Sequence, residues 1–293
     1  MTIPPPAEIS RIAFLGTPQL AVPPLTALVG AGYDIPLVVS RPDTRRGRGG
    51  AHQPSPVKAA AEALGLRVTD DLAELNDVVV DLGVVVAYGR IIPASMLTTL
   101  AMVNIHFSLL PRWRGAAPVE RAILAGDAET GVCLMALEEG LDTGAIYRCD
   151  AVAIDPNETL DELRDRLVEI GVQQLVDALA NGLGNPVPQE GEPVHAAKIT
   201  AEERRIDWTE PAIDIHRRVR VGGAWTTFRE KRFKIHQTVI TEGSSAPGQI
   251  DGLRIGTGQG AVEVVSVQPE GKARQIAGDW RNGARPQTSE RFV

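Results

Sequence analysis

The residues of this 293-residue chain best suited to chemistry lie between Val103 and Pro118, in the stretch VNIHFSLLPRWRGAAP. It sets an amide (Asn104), an imidazole (His106), a hydroxyl (Ser108) and two guanidiniums (Arg112, Arg114) beside an apolar turn. Met102 to His106 reads as a strand. Residues two apart on a strand project from one face, so Asn104 and His106 can aim at one substrate atom. The Ser-Leu-Leu-Pro that follows ends the strand, which puts the pair at the carboxyl end of a sheet, where open α/β folds take ligands. A third polar group, Asp142, sits in MALEEGLDTGAIY, a strand, a tight loop and a second strand. Taken alone, His106 reads equally as a satisfied core histidine, and Asp142 as a turn former in an Asp-x-Gly signal. Together they suit acyl transfer. A carboxylate orients an imidazole and makes it more basic, and an asparagine amide donates to a developing oxyanion.

On these residues the chain resembles the folate-dependent formyltransferases. N-I-H-F-S-L-L-P-R-W-R-G-A-A-P at 104–118 and L-D-T-G at 141–144 are the broad signature. F-L-G-T-P at 14–18, R-P-D at 41–43, G-R-G at 47–49, S-P-V-K at 55–58 and V-V-V-A-Y-G at 84–89 follow in the family's order. The R-P-D, G-R-G and S-P-V-K set is the narrower signal, for the branch whose acceptor is methionine esterified to initiator tRNA. The resemblance implies that Asn104, His106 and Asp142 are a catalytic trio. It also implies that Ser108, Leu109, Leu110 and Pro111 line the site of the co-substrate 10-formyltetrahydrofolate, a reduced folate, and that the loop with Arg45, Arg46 and Arg48 holds the acceptor end of the tRNA. No metal ligand set is apparent, and an already activated donor needs none.

The elements that must position these groups follow from pattern. Arg11–Leu15 is a short strand, Gly16-Thr17-Pro18 a turn and Leu20–Gly30 an amphipathic helix. The single glycine there falls well short of a dinucleotide fingerprint. Ile35–Ser40 is a second strand, Pro56–Leu64 a helix, and the valine-rich run Val78–Ala87 a strand buried on both faces of a parallel sheet. Compared with the family, Asp70–Val80 is short by several residues, so a reduced helix is expected before that strand. Ala116–Gly126 reads as a helix and Gly131–Leu137 as a strand. Thr159-Leu-Asp-Glu162 is a capping box opening a long helix to about residue 180. Cys133 and Cys149 lack metal spacing and are expected to be reduced thiols of a cytoplasmic protein.

From Gly182 to Ala197 the composition turns to Gly, Pro and polar residues, which marks a linker. The expected organisation is a catalytic domain over 1–188 with a flexible tail at 1–10, a linker over 189–204 and a second domain over 205–293. The second domain opens with a helix at Ala212–Arg220. Short alternating segments at Arg232–Ile240, Gly248–Ile250, Leu253–Ile255 and Ala261–Val267 then suggest a small β-barrel. Gly256–Gly260 reads as a hairpin turn. The resemblance makes the fold α/β, a Rossmann-like formyltransferase domain with a mostly parallel sheet, followed by a barrel of the oligonucleotide-binding type that binds tRNA. Two departures stand out: Val221-Gly-Gly-Ala-Trp225 replaces an Asn-Pro-Trp-Pro run, and Trp280–Val293 is divergent.

Charge argues independently for a polyanionic partner. The chain is −7 overall, with 15 basic and 25 acidic residues before Ala201 (−10) and 15 and 12 from there on (+3). Arg41–Gly50 carries +3 within the acidic part. Phosphate contacts come from Arg and Lys, so an acidic body with a basic loop and a basic second domain fits nucleic acid held at one edge. No apolar run approaches the ~20 residues of a membrane span, and the Pro-rich start is neither signal peptide nor anchor. A monomer is expected. Two rival readings stay open: a sibling formyltransferase acting on an amino sugar nucleotide or glycinamide ribonucleotide, and a non-catalytic tRNA-binding module. The first has less use for the arginine loop, and the second has no use for an intact trio.

Overall fold

The computed structural model describes residues 3–45, 50, 52–243 and 245–293. Within them the chain divides into two compact units: residues up to Pro118 with Glu129–Ala153 and Arg164–Ala196, and Val119–Ala128 with Ile154–Leu163 and Ala197–Val293.

In the first unit, β1 (Arg11–Gly16) leads through α1 (Val22–Gly30) to β2 (Asp34–Val39). A two-residue hairpin, β3 (Thr44–Arg45) with β4 (His52–Gln53), precedes α2 (Pro56–Ala63). Next come β5 (Val68–Thr69), β6 (Leu82–Val86), the short α3 (Ala94–Leu97) and β7 (Met102–His106). The bridge strand β8 (Arg114–Gly115), α4 (Pro118–Ala125, from Val119 on part of the second unit), β9 (Glu129–Ala136), β10 (Ile146–Ala153) and α5 (Leu160–Asn181, in the first unit from Arg164) complete the sequence up to β11 (His195–Ala196), which pairs β8. The main sheet has the order β10-β9-β7-β6-β1-β2-β5. Its five strands from β7 to β5 are parallel, and β9 and β10 add antiparallel pairings at the far edge. Every residue of β6, Leu-Gly-Val-Val-Val, is buried, as a strand between parallel neighbours and covered on both faces requires. Only a six-residue 3-10 turn, Leu72–Asp77, precedes it, the reduced helix expected from the short segment there.

This order makes a topological switch between β1 and β6: the chain leaving β1 runs to β2 on one side, and the chain leaving β6 runs to β7 on the other. Such a point opens the crevice in which open α/β sheets bind ligands. Thr17 Oγ1 joins the two mouths by donating to the Tyr88 carbonyl over 2.9 Å. Long helix α5 begins at the predicted capping box, with the Thr159 N–H donating to Glu162 over 2.7 Å. The helix lies close to β7 because Gly171 has no side chain; a Cβ there would come 2.8 Å from Ile105 Cγ2.

One expectation is corrected. Cys133 and Cys149 are not separate thiols: they stand opposite one another on β9 and β10, Cα atoms 4.2 Å apart, and are joined as a disulfide. Each lay in its own strand-like segment of the sequence, and only the antiparallel pairing of β9 with β10 sets them opposite one another. The Gly- and Pro-rich segment is also less free than its composition suggests. Val187 exchanges both backbone hydrogen bonds with Ile146, each 2.8 Å, and His195–Ala196 runs beside Arg114–Gly115.

The second unit holds an antiparallel sheet: β12 (Trp225–Phe228), β13 (Lys231–Thr241), β16 (Ala261–Pro269), β15 (Arg254–Gly256) and β14 (Ile250–Asp251), with β17 (Gln275–Ile276) on β16. Helices α6 (Ala212–Val221) and α7 (Ala277–Ala284) pack with it. Its core is aromatic: Phe228, Phe233, Trp280 and Phe292 meet with ring centroids 4.9–6.2 Å apart, and Trp208 stacks on Phe292 at 5.6 Å. The divergent end of the chain thus supplies two core rings. Trp225 lies outside this core, with the Arg232 and Arg205 guanidiniums 4.3 and 5.7 Å from its ring centre.

Candidate active site

Strand β7 places the amide and the imidazole. Asn104 pairs with Met135 and His106 with Cys133 across to β9, so both project from the same face, buried to 8% and 5% exposure. Asp142 reaches them from the turn between β9 and β10. Its φ of 51° is left-handed, a conformation Asp tolerates better than most residues because its short side chain bonds locally. The Gly115 N–H donates to Asp142 Oδ2 over 2.7 Å, and that oxygen lies 3.6 Å from His106 Nδ1. The three residues singled out from sequence are therefore brought to one place.

The other ring nitrogen of His106, Nε2, lies 3.0 Å from the Trp113 carbonyl. A carbonyl only accepts, so Nε2 carries a proton in this contact. This leaves Nδ1 facing the Asp142 carboxylate, which orients the ring. Trp113 itself has φ 66°, and the Arg112 guanidinium stands 4.5 Å above its ring. The site can therefore present an amide N–H and an imidazole N–H to an oxygen that gains negative charge, in a water-poor setting where such donors are strong.

The predicted donor-binding turn divides into two kinds of residue. Ser108 is fully buried and spends its hydroxyl on the Arg112 carbonyl at 2.6 Å. Leu110 is buried against Cys133 and Met135. Leu109 and Pro111 are half-buried and keep surface for a ligand. An apolar patch beside polar groups suits a flat ring with apolar faces and a hydrogen-bonding edge.

Of the basic loop, Arg45 is exposed in the hairpin, whereas Arg46 and Arg48 lie outside the described residues. Its base is clamped. Ser40 and Ser55 share a 2.5 Å hydroxyl hydrogen bond, Ser55 caps α2 through the Lys58 N–H, and Lys58 Nζ donates to Asp43 at 2.8 Å. That bond to Asp43 raises the Lys58 pKa and keeps it charged. The R-P-D and S-P-V-K motifs thus fix where the loop leaves the body.

Three participants were missed from sequence: the Trp113 carbonyl, the Gly115 N–H and the side chain of Gln189. The first two are backbone groups that any residue type supplies. Gln189 lies in the Pro-rich stretch, where no local pattern marks it. Among the described residues no group of three or more His, Cys, Asp or Glu side chains is placed to hold a metal ion, and no helix is long and apolar enough to cross a membrane.

Comparison with known proteins agrees with this geometry. Residues 10–179 match the family described as Formyl transferase, and residues 198–285 match its C-terminal domain. A methionyl-tRNA formyltransferase of Roseobacter denitrificans is 46% identical over 292 residues, spanning 94% of this chain and 96% of that protein. One from Paenarthrobacter aurescens is 42% identical over 305 residues, spanning 97% and 99%. Among solved structures, an N-formyltransferase from Helicobacter canadensis in complex with folinic acid and dTDP-3-aminofucose shares the fold, with a TM-score of 0.67 at 17% identity over 89% of this chain and 99% of that one. With family models matched over residues 10–179 and 198–285, and with relatives this similar along nearly its whole length, the chain belongs to the formyltransferase family.

Proposed function

We propose that this formyltransferase moves the formyl group of 10-formyltetrahydrofolate to the α-amine of methionine esterified to initiator tRNA, as a cytoplasmic monomer. The observation that carries the reading is full-length similarity above 40% to proteins named for that reaction. It is supported by the clamped base of the loop that carries Arg45, in a sequence segment of +3 within an acidic body.

The neutral amine attacks the formyl carbon and the carbonyl electrons move onto oxygen. As the tetrahedral intermediate collapses, the bond from carbon to folate N10 breaks, and the proton lost by the amine ends on N10. Asn104 and His106 donate to the oxyanion, and Asp142 orients and polarises the imidazole. For Nε2 to reach the substrate oxygen, the Trp113 carbonyl has to release it, so entry of the formyl group exchanges one acceptor for another. Leu109 and Pro111 offer apolar surface to the reduced folate. Arg45, Arg46 and Arg48 bind phosphates of the acceptor end and bring the methionyl amine within reach of the formyl carbon.

Incubation with 10-formyltetrahydrofolate and each of three acceptors tests this: charged initiator tRNA, an amino sugar nucleotide, and glycinamide ribonucleotide. The highest kcat/KM is expected with the tRNA. Faster transfer to either small acceptor would replace the tRNA reading with that one.

A further inference from the structure

Gln189 comes from the segment whose composition suggested a linker, yet its amide uses its full hydrogen-bonding capacity on the two loops around His106. Its Oε1 accepts from Arg114 Nε at 3.0 Å and Nη2 at 2.6 Å. Its Nε2 donates to the carbonyls of Asp142 and Gly144, both at 2.8 Å. Arg only donates and a backbone carbonyl only accepts, so the orientation of the amide is fixed by its partners.

The two loops it joins are the ones that hold both nitrogens of the imidazole. Arg114 lies between Trp113, whose carbonyl meets Nε2, and Gly115, whose N–H holds the Asp142 carboxylate. The Asp142–Gly144 turn carries the carboxylate that faces Nδ1 at 3.6 Å. That gap is just under 1 Å longer than the ~2.7–2.9 Å of a charge-assisted hydrogen bond, so displacements of either loop by less than an ångström decide whether the bond forms. Asp142 also keeps a left-handed backbone, which persists only where the surroundings over-determine it. The segment delivering Gln189 is itself tied down on both sides, by the paired Val187–Ile146 bonds and by Val194 accepting from the Arg114 N–H at 2.8 Å. The geometry points to Gln189 as a positioning residue of the active site, one that sets the distance between Asp142 and His106 by tying the Asp142 turn to the Arg114 loop. The inference rests on the roles given above to Asn104, His106 and Asp142.

The test uses Gln189→Leu, which removes all four bonds at similar volume, and Gln189→Glu, which keeps an acceptor for Arg114 but turns an oxygen towards two carbonyls. In formyl transfer to charged tRNA, kcat should fall ~10–10²-fold, the effect of sub-ångström to ~1 Å misplacement, with KM for both substrates unchanged. On an Asp142→Asn background, Gln189→Leu should add no further loss. The ring ¹⁵N resonances of His106, followed against pH in the protein without substrates, should shift in both variants while the rest of the spectrum stays folded. Wild-type kcat in a folded variant, or a loss that multiplies with that of Asp142→Asn, would overturn the inference. If Gln189→Leu does not fold, Gln189→Glu is read in the same way. If wild type does not formylate the tRNA, the proposed acceptor is wrong, and the His106 resonances alone decide: unchanged resonances overturn the role of Gln189.

Discussion

Replacing Asp142 separates its structural work from its chemical work. Alanine at this position takes from the Gly115 N–H its acceptor, Asp142 Oδ2 at 2.7 Å; an unsatisfied donor costs about 1–3 kcal/mol. Alanine also tolerates φ 51° poorly, at about 1–2 kcal/mol for a left-handed residue. The sum lies at about 2–5 kcal/mol, and at about 2–4 °C per kcal/mol for a unit of this size the melting temperature should drop by roughly 4–20 °C. Asparagine keeps a side-chain carbonyl for Gly115 and accepts the left-handed backbone, so Asp142→Asn should melt close to wild type. It nevertheless loses the negative charge beside His106 Nδ1. The oxygen that takes the place of Oδ2, on Gly115 and beside Nδ1, is then a neutral amide carbonyl that polarises the ring far less, and turnover should fall by ~10²–10⁴. Calorimetry and single-turnover formyl transfer on both variants decide the matter. Near-wild-type turnover in Asp142→Asn would refute the chemical role, and equal destabilisation of the two variants would refute the structural one.

Other predictions address the remaining parts. A reduced folate should raise the melting temperature of the wild type, and Leu109→Trp, at the half-buried side of the turn, should shrink that shift; stabilisation by NAD instead of folate would point back to the discounted dinucleotide reading. Alanine at Arg45, Arg46 and Arg48 together should weaken tRNA binding and lower its salt slope by at most about one per arginine, leaving folate binding untouched; unchanged slopes would remove the loop from the mechanism. His216, buried with Nδ1 3.0 Å from Thr238 Oγ1, has its pKa lowered by burial first and then by Arg220. Its folded pKa lies below its unfolded one, so the stability it confers is present above the unfolded value near 6.5 and is lost as pH falls below it towards the folded value. The second unit should accordingly melt lower at pH 5 than at pH 7, and His216→Gln should flatten that dependence; an unflattened curve would assign it elsewhere, His236, also lowered chiefly by burial, being the next candidate.

Much of the site was legible because its groups are short-range. Asn104 and His106 share a face by the arithmetic of a strand, and Asp142 sits in a turn whose sequence demands one. The parallel sheet could be read from Val84, Val85 and Val86, which are buried on both faces. What stayed hidden depends on register and distance. The Cys133–Cys149 bond follows from how β9 pairs β10, which no spacing rule for cysteines reveals. The resemblance puts Ser108 in the donor site, but the bond by which its buried hydroxyl closes the turn onto the Arg112 carbonyl is a tertiary detail that no spacing announces. Gln189 stands 47 residues from Asp142, in a segment whose prolines suggest a spacer, and only tertiary contacts give it a purpose. The divergent end concealed Trp280 and Phe292 in the same way, since core rings on a short final helix and tail carry no periodic signal.

The account stands most directly on single-turnover transfer of the formyl group to methionyl-tRNA by wild type, Asn104→Ala, His106→Ala and the variant carrying both changes. Each single change is expected to slow the step by ~10²–10³ for the amide and ~10²–10⁴ for the imidazole. Because the two donors serve one oxyanion, the double variant should be about as slow as the worse single one. Near-wild-type rates in either folded single variant, or losses that multiply in the double variant, would contradict the assignment of Asn104 and His106 to one oxyanion site.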